Sequence, residues 1–279
     1  MTETTTTPST SRLSTSRIAA TFDHLKGEGR TALMPYHTAG WPSMSISEEI
    51  ILGLIEGGAD LVEIGVPFSD PIADGTSVQR TSQLSLEQGT RLRDCIALVG
   101  RLRDRGATVP FLLMGYYNPI VKYGVERYVV DCVEAGVDGF IVPDLPASES
   151  DLLHAACEAH NRDLIFMVAP TSTEERITVA AERGSGFIYC VAVTGVTGAR
   201  DQMSATLGPY LASIRERTDL PLGVGFGISR PDHIRQVGEH AEGAIVGAAL
   251  INYLDSLPDD QKPTGAARFV RFLRGEADL

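Results

Sequence analysis

The residues best equipped for chemistry are two carboxylates in one stretch, Glu63 and Asp74, within the run LVEIGVPFSDPIADG at positions 61–75. Glu63 interrupts a short apolar segment, Leu61, Val62 and Ile64, that reads as a buried parallel strand. Side chains alternate along a strand. Leu61, Glu63 and Gly65 therefore share one face, while Val62 and Ile64 share the other, where covering helices would pack. On this reading Glu63 points into whatever the sheet encloses. Pro67 and Pro71 end the strand, and a polar loop rises to Asp74 on the same side. A strand-end acid followed by a loop acid is a layout for acid–base catalysis.

Each acid also has a plainer reading. Glu63 could be a core carboxylate satisfied by a lysine, but the chain holds only Lys26, Lys122 and Lys262, none at an expected inward strand position. An unpaired buried carboxylate is costly, and such groups cluster at functional sites. Asp74 precedes Gly75 and Asp70 precedes Pro71, so either could be a turn former.

Three glycine-bearing stretches follow late strands: TGVTG at 194–198, GVGFGIS at 223–229 and GAA at 247–249. Singly, each is the glycine of an ordinary strand-to-helix turn. Together they match the phosphate cup that barrels build from the loops after strands seven and eight and the start of a short helix.

These residues need a frame, and the chain supplies a repeating one. Short apolar strands are expected near 31–37, 60–64, 110–114, 139–142, 163–168, 186–191, 221–224 and 243–246. Helices are expected between them. Residues 45–48, SISE, have capping-box spacing, with Ile46, Ile50 and Leu54 as the apolar stripe and Gly57-Gly58 as the stop. A double-length helical stretch spans 83–105 with a break at Gly89, and others cover 122–135, 148–160, 173–183, 203–217, 230–238, 248–254 and 269–273. Ahead of the first strand, Ile18, Phe22 and Leu25 mark a short amphipathic helix that plugs one end of the fold. Eight strands alternating with helices predict an α/β protein, a single (β/α)8 TIM barrel with an N-terminal capping helix, over 17–279; a doubly wound open sheet is the alternative. Residues 1–16, rich in Thr and Ser, read as a disordered tail.

Composition narrows the partners. Against 36 Asp and Glu stand 24 Lys and Arg, a net charge of -12 that argues against nucleic acid and anionic membranes. A small phosphorylated substrate remains open, because backbone N–H groups can hold a phosphate without a basic surface. The four cysteines, Cys95, Cys132, Cys157 and Cys190, form no C-x-x-C pair, and the six histidines form no ligand motif, so no metal is expected. With no signal-like segment and no membrane-spanning run, a soluble cytoplasmic protein is expected.

The run from Glu63 to Gly75, with GVTG at 195–198 and GFGIS at 225–229, resembles the tryptophan synthase α chain family from about Phe22 to the last helix. The resemblance implies a lyase that splits indole-3-glycerol phosphate into indole and glyceraldehyde 3-phosphate, with no cofactor of its own. It implies a β chain partner, in an α2β2 complex, that uses pyridoxal phosphate and receives the indole. It also implies roles: Glu63 as acid/base, Asp74 as acceptor of the indole N–H, Tyr189 near the base, Thr197 in a loop closing over Asp74, and Gly198, Phe226, Gly227, Gly247 and Ala248 around the phosphate. Partner contacts are expected at Pro67, Asp70, Asn118, Asp144 and Pro146. Three positions depart from the family pattern and bear on substrate affinity: Ala248 where serine is frequent, Val193 where some members carry arginine, and His37 beside the first strand. A free-standing indole-producing lyase and a weakly catalytic barrel that mainly activates a β chain are the rival readings. Intact Glu63 and Asp74 speak against the second.

Overall fold

A computed structural model describes residues 16–191, 200–225 and 227–279, with backbone alone for 200–206. Among the described residues the strands are β1 (Ala32–Thr38), β2 (Val62–Gly65), β3 (Phe111–Met114), β4 (Gly139–Ile141), β5 (Asp163–Ile165), β6 (Met167–Val168), β7 (Ile188–Val191), β8 (Leu222–Gly225) and β9 (Gly243–Val246). The α-helices are α1 (Arg17–Gly27), α2 (Met44–Glu56), α3 (Thr76–Glu87), α4 (Leu92–Asp104), α5 (Tyr117–Tyr123), α6 (Val125–Ala135), α7 (Asp151–Ala159), α8 (Glu174–Arg183), α9 (Arg200–Arg215), α10 (Pro231–Gly238), α11 (Ala248–Asp255) and α12 (Lys262–Arg274).

All the strand pairs are parallel, in the order β5-β4-β3-β2-β1-β9-β8-β7-β6. The two ends of that order, β5 and β6, are halves of the single strand expected at 163–168, interrupted at Phe166. Its first half pairs with β4 and its second with β7, while the Phe166 carbonyl accepts from the Tyr189 N–H at 3.0 Å. One run of chain thus closes the barrel, and eight strand positions appear as nine segments. The first strand pairs with the last, Ala32 opposite Gly243, which removes the open-sheet alternative.

Side-chain alternation sorts the apolar residues into two cores. Val62, Ile64, Leu113, Phe140 and Val246 face the helix layer, whereas Ala32, Met34, Leu61, Leu112, Ile141, Ile165, Phe187 and Ile245 fill the barrel. Helix α1 closes the amino-terminal end by inserting Ile18, Phe22 and Leu25 into that interior, with the Phe22 ring 5.7 Å from Phe187. Gly243 makes room for it: a Cβ there would lie 2.5 Å from the Met34 terminal methyl and 3.3 Å from the Phe22 ring. Ser16, assigned above to the tail, is buried and caps α1 through the Ala19 N–H at 3.1 Å; residues 1–15 lie outside the described ones.

Several helix boundaries differ from expectation. Helix α2 is capped by Ser43, which accepts from the Ile46 N–H, while Glu48 of the expected capping box pairs with Arg101 at 2.7 Å and Arg105 at 3.0 Å. A long-range ion pair took the side chain that local spacing had assigned to the cap. The expected 83–105 stretch is two helices, α3 and α4, separated around Gly89 at φ 84°. Helix α3 begins at Thr76, two residues after Asp74, so the loop acid sits at a helix entrance. The 122–135 stretch divides at Gly124 into α5 and α6, again at positive φ, 97°.

Candidate active site

Strand β2 carries Glu63 between Tyr36 of β1 and Leu112 of β3 in register. Its carboxyl group is fully buried, and neither oxygen has a hydrogen-bond partner. Burial alone pushes it up to about 8, so it is mostly protonated at neutral pH. The lysine alternative fails: the amine of Lys262 is held by the Leu257 carbonyl at 2.5 Å and by Asp259 at 2.7 Å, while Lys26 and Lys122 are exposed.

Asp74 stands at the end of the loop that leaves β2, half-buried. The loop is set by Tyr116, just beyond β3. Its hydroxyl accepts from the Ala73 N–H at 3.0 Å, bonds the Asp74 carboxyl, and its ring stacks on Phe68 at 5.0 Å. Burial raises Asp74 to about 6, against the opposing pull of the Tyr116 hydroxyl. Two acids at one rim therefore differ in protonation near pH 7, the deeper one neutral and the shallower one ionised. That is a division of labour between proton donor and charge stabiliser.

Two tyrosines complete the enclosed wall. Tyr189 of β7 is buried, and burial first, then the charge of Glu63, holds its phenol well above the ordinary range. Tyr36 of β1 is likewise raised by burial, with the charges of Asp74 and Glu63 adding to it. A Cβ on Gly65 would overlap the Tyr36 hydroxyl, so that glycine lets the phenol lie across β2, one inward position above Glu63. Neither Tyr36 nor Tyr116 was singled out from sequence. Tyr36 was within reach of the strand-alternation argument, two residues after the inward Met34; Tyr116 had no local signal.

Further round the rim, Gly227 is exposed at φ 39°, and Gly247 precedes α11. The Ile251 N–H makes the first bond of that helix, to Gly247 O at 3.1 Å, so the N–H groups of Ala248, Ala249 and Leu250 project from its end. Such an end favours an anion. Ala248 is exposed there. Thr197, Gly198 and Phe226 lie outside the described residues, as does Val193. His37 proves to face the helix layer: its Nε2 is 3.0 Å from the Ser47 hydroxyl, its ring is 5.8 Å from Trp41, and burial lowers it to about 3. This departure therefore sits outside the barrel interior.

Of the expected partner contacts, Asp70, Asn118, Asp144 and Pro146 are exposed, while Pro67 is buried. Asp144 accepts from the Tyr117 N–H at 2.9 Å, tying the loop after β4 to the start of α5, where Asn118 lies.

A closed parallel barrel whose buried and half-buried acids gather at the carboxyl ends of its strands is a (β/α)8 enzyme of acid–base type. The family model described as tryptophan synthase alpha chain matches residues 22–276. The alpha chain of Roseiflexus sp. (strain RS-1) is 53% identical over 260 residues, 93% of this chain and 100% of that one. That of Chloroflexus aurantiacus is 50% identical, covering 92% and 97%. Among solved structures, tryptophan synthase subunit alpha from Legionella pneumophila str. Paris superposes with a TM-score of 0.86 at 33% identity, covering 94% of this chain and 98% of that one. A chain of tryptophan synthase from M. tuberculosis, in its aminoacrylate-bound form, gives 0.82 at 32% identity, covering 93% and 100%. The chain belongs to the tryptophan synthase alpha chain family.

Proposed function

We propose that this chain is a lyase that cleaves indole-3-glycerol phosphate to indole and glyceraldehyde 3-phosphate, as its family membership implies. The observation that carries the chemistry is Glu63, a fully buried carboxyl group with no hydrogen-bond partner, aimed into the barrel. Cleavage requires a proton on indole C3 and the loss of one from the hydroxyl of the adjacent side-chain carbon. Glu63, held at about 8, enters protonated and donates to C3. The carboxylate it leaves then takes the hydroxyl proton as the carbon–carbon bond breaks. The bonding pair returns to the ring, and Glu63 ends protonated as it began. Asp74, at about 6, is mostly ionised and accepts from the ring N–H, stabilising the positive charge that develops there.

Tyr189 is assigned to the wall beside the base and Thr197 to the loop closing over Asp74. Gly198, Phe226, Gly227, Gly247 and Ala248 are assigned to the phosphate; the α11 end supports that last assignment with outward N–H groups. No step calls for a cofactor in this chain.

The family implies a β chain partner. We infer an α2β2 complex in which the partner uses pyridoxal phosphate, and we place its contact at Asp70, Asn118, Asp144 and Pro146. Three of the exposed large apolar residues flank these positions, Ile72 at 84%, Val121 at 51% and Leu152 at 71%, and beside Asp70 lies a pocket of 390 Å³ lined by Phe68, Ser69, Pro71 and Arg80, among others. Among the described residues no helix is long and apolar enough to cross a membrane. We place the complex in the cytoplasm, in keeping with four free, buried cysteines.

The test is indole release from indole-3-glycerol phosphate, with and without a β chain. Wild type should release indole, and Glu63→Gln should lower the rate roughly 10²-fold to 10⁴-fold with an unchanged circular dichroism spectrum. A Glu63→Gln variant that cleaves at the wild-type rate would make Glu63 structural.

A further inference from the structure

Helices α3 and α11 are neighbours at the rim, and each begins where a part of the site ends: α3 two residues after Asp74, α11 directly after Gly247. The Ser77 hydroxyl donates to Asn252 Oδ1 at 2.8 Å, and Arg80 pairs with Asp255 at 2.9 Å. Both contacts advance together along the two helices, from Ser77 to Arg80 and from Asn252 to Asp255, so the helices run parallel with their amino-terminal ends together. One end carries Asp74, and the other projects the N–H groups assigned to the phosphate. The two helices are held in different ways. Helix α11 buries Leu250, Ile251 and Leu254 and is fixed by apolar packing. Helix α3 buries Thr81, Ser82 and Ser85, none of them apolar. Thr81 Oγ1 lies 2.7 Å from Thr38 Oγ1, and Ser85 donates to the Ala39 carbonyl at 2.6 Å. Thr76, Gln79, Arg80 and Gln83 border the pocket beside Asp70, so open space also adjoins α3. The placement of α3 therefore rests on directional polar contacts. Asp74 is tied to that placement, because Gln79 donates to its backbone carbonyl at 2.8 Å.

We propose that Ser77 with Asn252, and Arg80 with Asp255, are positioning pairs that pin α3 to α11 and so set Asp74 at the right reach from the phosphate-binding end of the site. The inference deepens the lyase reading and rests on it. A substrate anchored by its phosphate at the start of α11 presents its ring N–H at a fixed distance, and Asp74 must meet it there. A misplacement of about 1 Å at such a group can cost on the order of 10²-fold in rate. The side chains of Arg80 and Asp255 are 39% and 46% exposed, and exposed pairs add little to stability. Their loss should therefore show in the rate and not in the melt. The phosphate end belongs to α11, whose apolar anchoring the pairs do not supply, so substrate binding should survive.

The experiment is steady-state indole release from indole-3-glycerol phosphate by the full-length chain, with thermal melts of each variant. Arg80→Ala and Asp255→Ala should each lower kcat about fivefold, and Arg80→Ala combined with Ser77→Ala about thirtyfold, with KM within about twofold of wild type. The melts should stay at the wild-type temperature. Exchanging the charges, Arg80→Asp together with Asp255→Arg, should restore most of the lost rate, whereas either exchange alone sets like charges together and should lower kcat further. Asp255→Ala and Asn252→Ala leave α3 unaltered and carry the test should the α3 variants fold poorly. An unchanged kcat in the double variant, a loss carried by KM, a loss matched by a fall in the melt, or a charge exchange that restores nothing overturns the proposal. Wild type that releases indole beside variants that match it defeats this proposal alone. Wild type that releases none defeats the lyase reading and this proposal with it.

Discussion

The two ends of the barrel bury carboxyl groups in opposite ways. At the amino-terminal end Asp138, just before β4, is 3% exposed and fully compensated: Arg17 of the plug helix lies at 2.5 Å, Arg103 of α4 at 2.6 Å, and the Phe111 N–H donates at 2.8 Å. Burial still raises its pKa, with the Phe111 N–H and both guanidinium groups pulling the other way. At the carboxyl end Glu63 is buried as deeply and has no such partner. Asp138 ties α1, α4 and β3 together and is a structural joint. Glu63 ties nothing together and weakens the fold whenever it ionises. A buried acid with partners holds a structure, whereas one without partners is retained for what it does with its proton.

That contrast can be broken most sharply at Glu63. Beyond the loss of rate, Glu63→Gln should be more stable than wild type at pH 8. The folded carboxyl titrates at about 8 and an unfolded one at its ordinary 4.5, so between these values the native state binds the extra proton. Wild-type stability should therefore fall as pH rises across that window, by up to about 1.4 kcal/mol per unit from this group alone. Denaturant melts of both proteins at pH 5 and pH 8 check it: the gap should open toward pH 8, and a constant gap would mean that Glu63 has a hidden partner.

The opposite end should give the opposite signature. Asp138→Ala leaves the buried Phe111 N–H without its acceptor and takes the counter-charge from Arg103, and should cost about 1–3 kcal/mol of stability. The rate per folded molecule should remain near wild type. Thermal melts and active-site-normalised indole release measure the two halves; a large loss of kcat in well-folded Asp138→Ala would erase the distinction between the ends.

Smaller effects sharpen the chemistry of the carboxyl rim. Replacing Gly227, at φ 39°, by a bulky residue should raise KM for the phosphorylated substrate about tenfold, the cost of one hydrogen bond to a charged group, while indole binds as before. Crystals grown in sulfate should show the anion at the start of α11. Smallest of all, Asn118→Asp places a charge on the proposed partner surface and should weaken β chain binding several-fold by calorimetry, with no change in the melt of the isolated chain. Equal affinities would move the interface elsewhere.

Much of this was legible in the sequence because it rests on local periodicity. The inward direction of Glu63, the outward direction of Val62 and Ile64, and the plugging face of Ile18, Phe22 and Leu25 all follow from side-chain spacing along one element, and the structure places each accordingly. The end of α11 followed from glycine placement after a strand. Other features had no such signal, because they depend on which segment lies next to which. Ser43 rather than Ser45 caps α2, since Glu48 is drawn to arginines more than fifty residues away in sequence. The strand at 163–168 breaks at Phe166 because its two halves have different neighbours, one on each side of the seam that closes the barrel. The Tyr36 phenol meets Thr38, and Thr38 meets Thr81, 43 residues beyond it; no periodicity along either element encodes that meeting. Local geometry determines which face a residue occupies. Only the closed barrel decides what it meets there, and with it whether a buried acid keeps its proton.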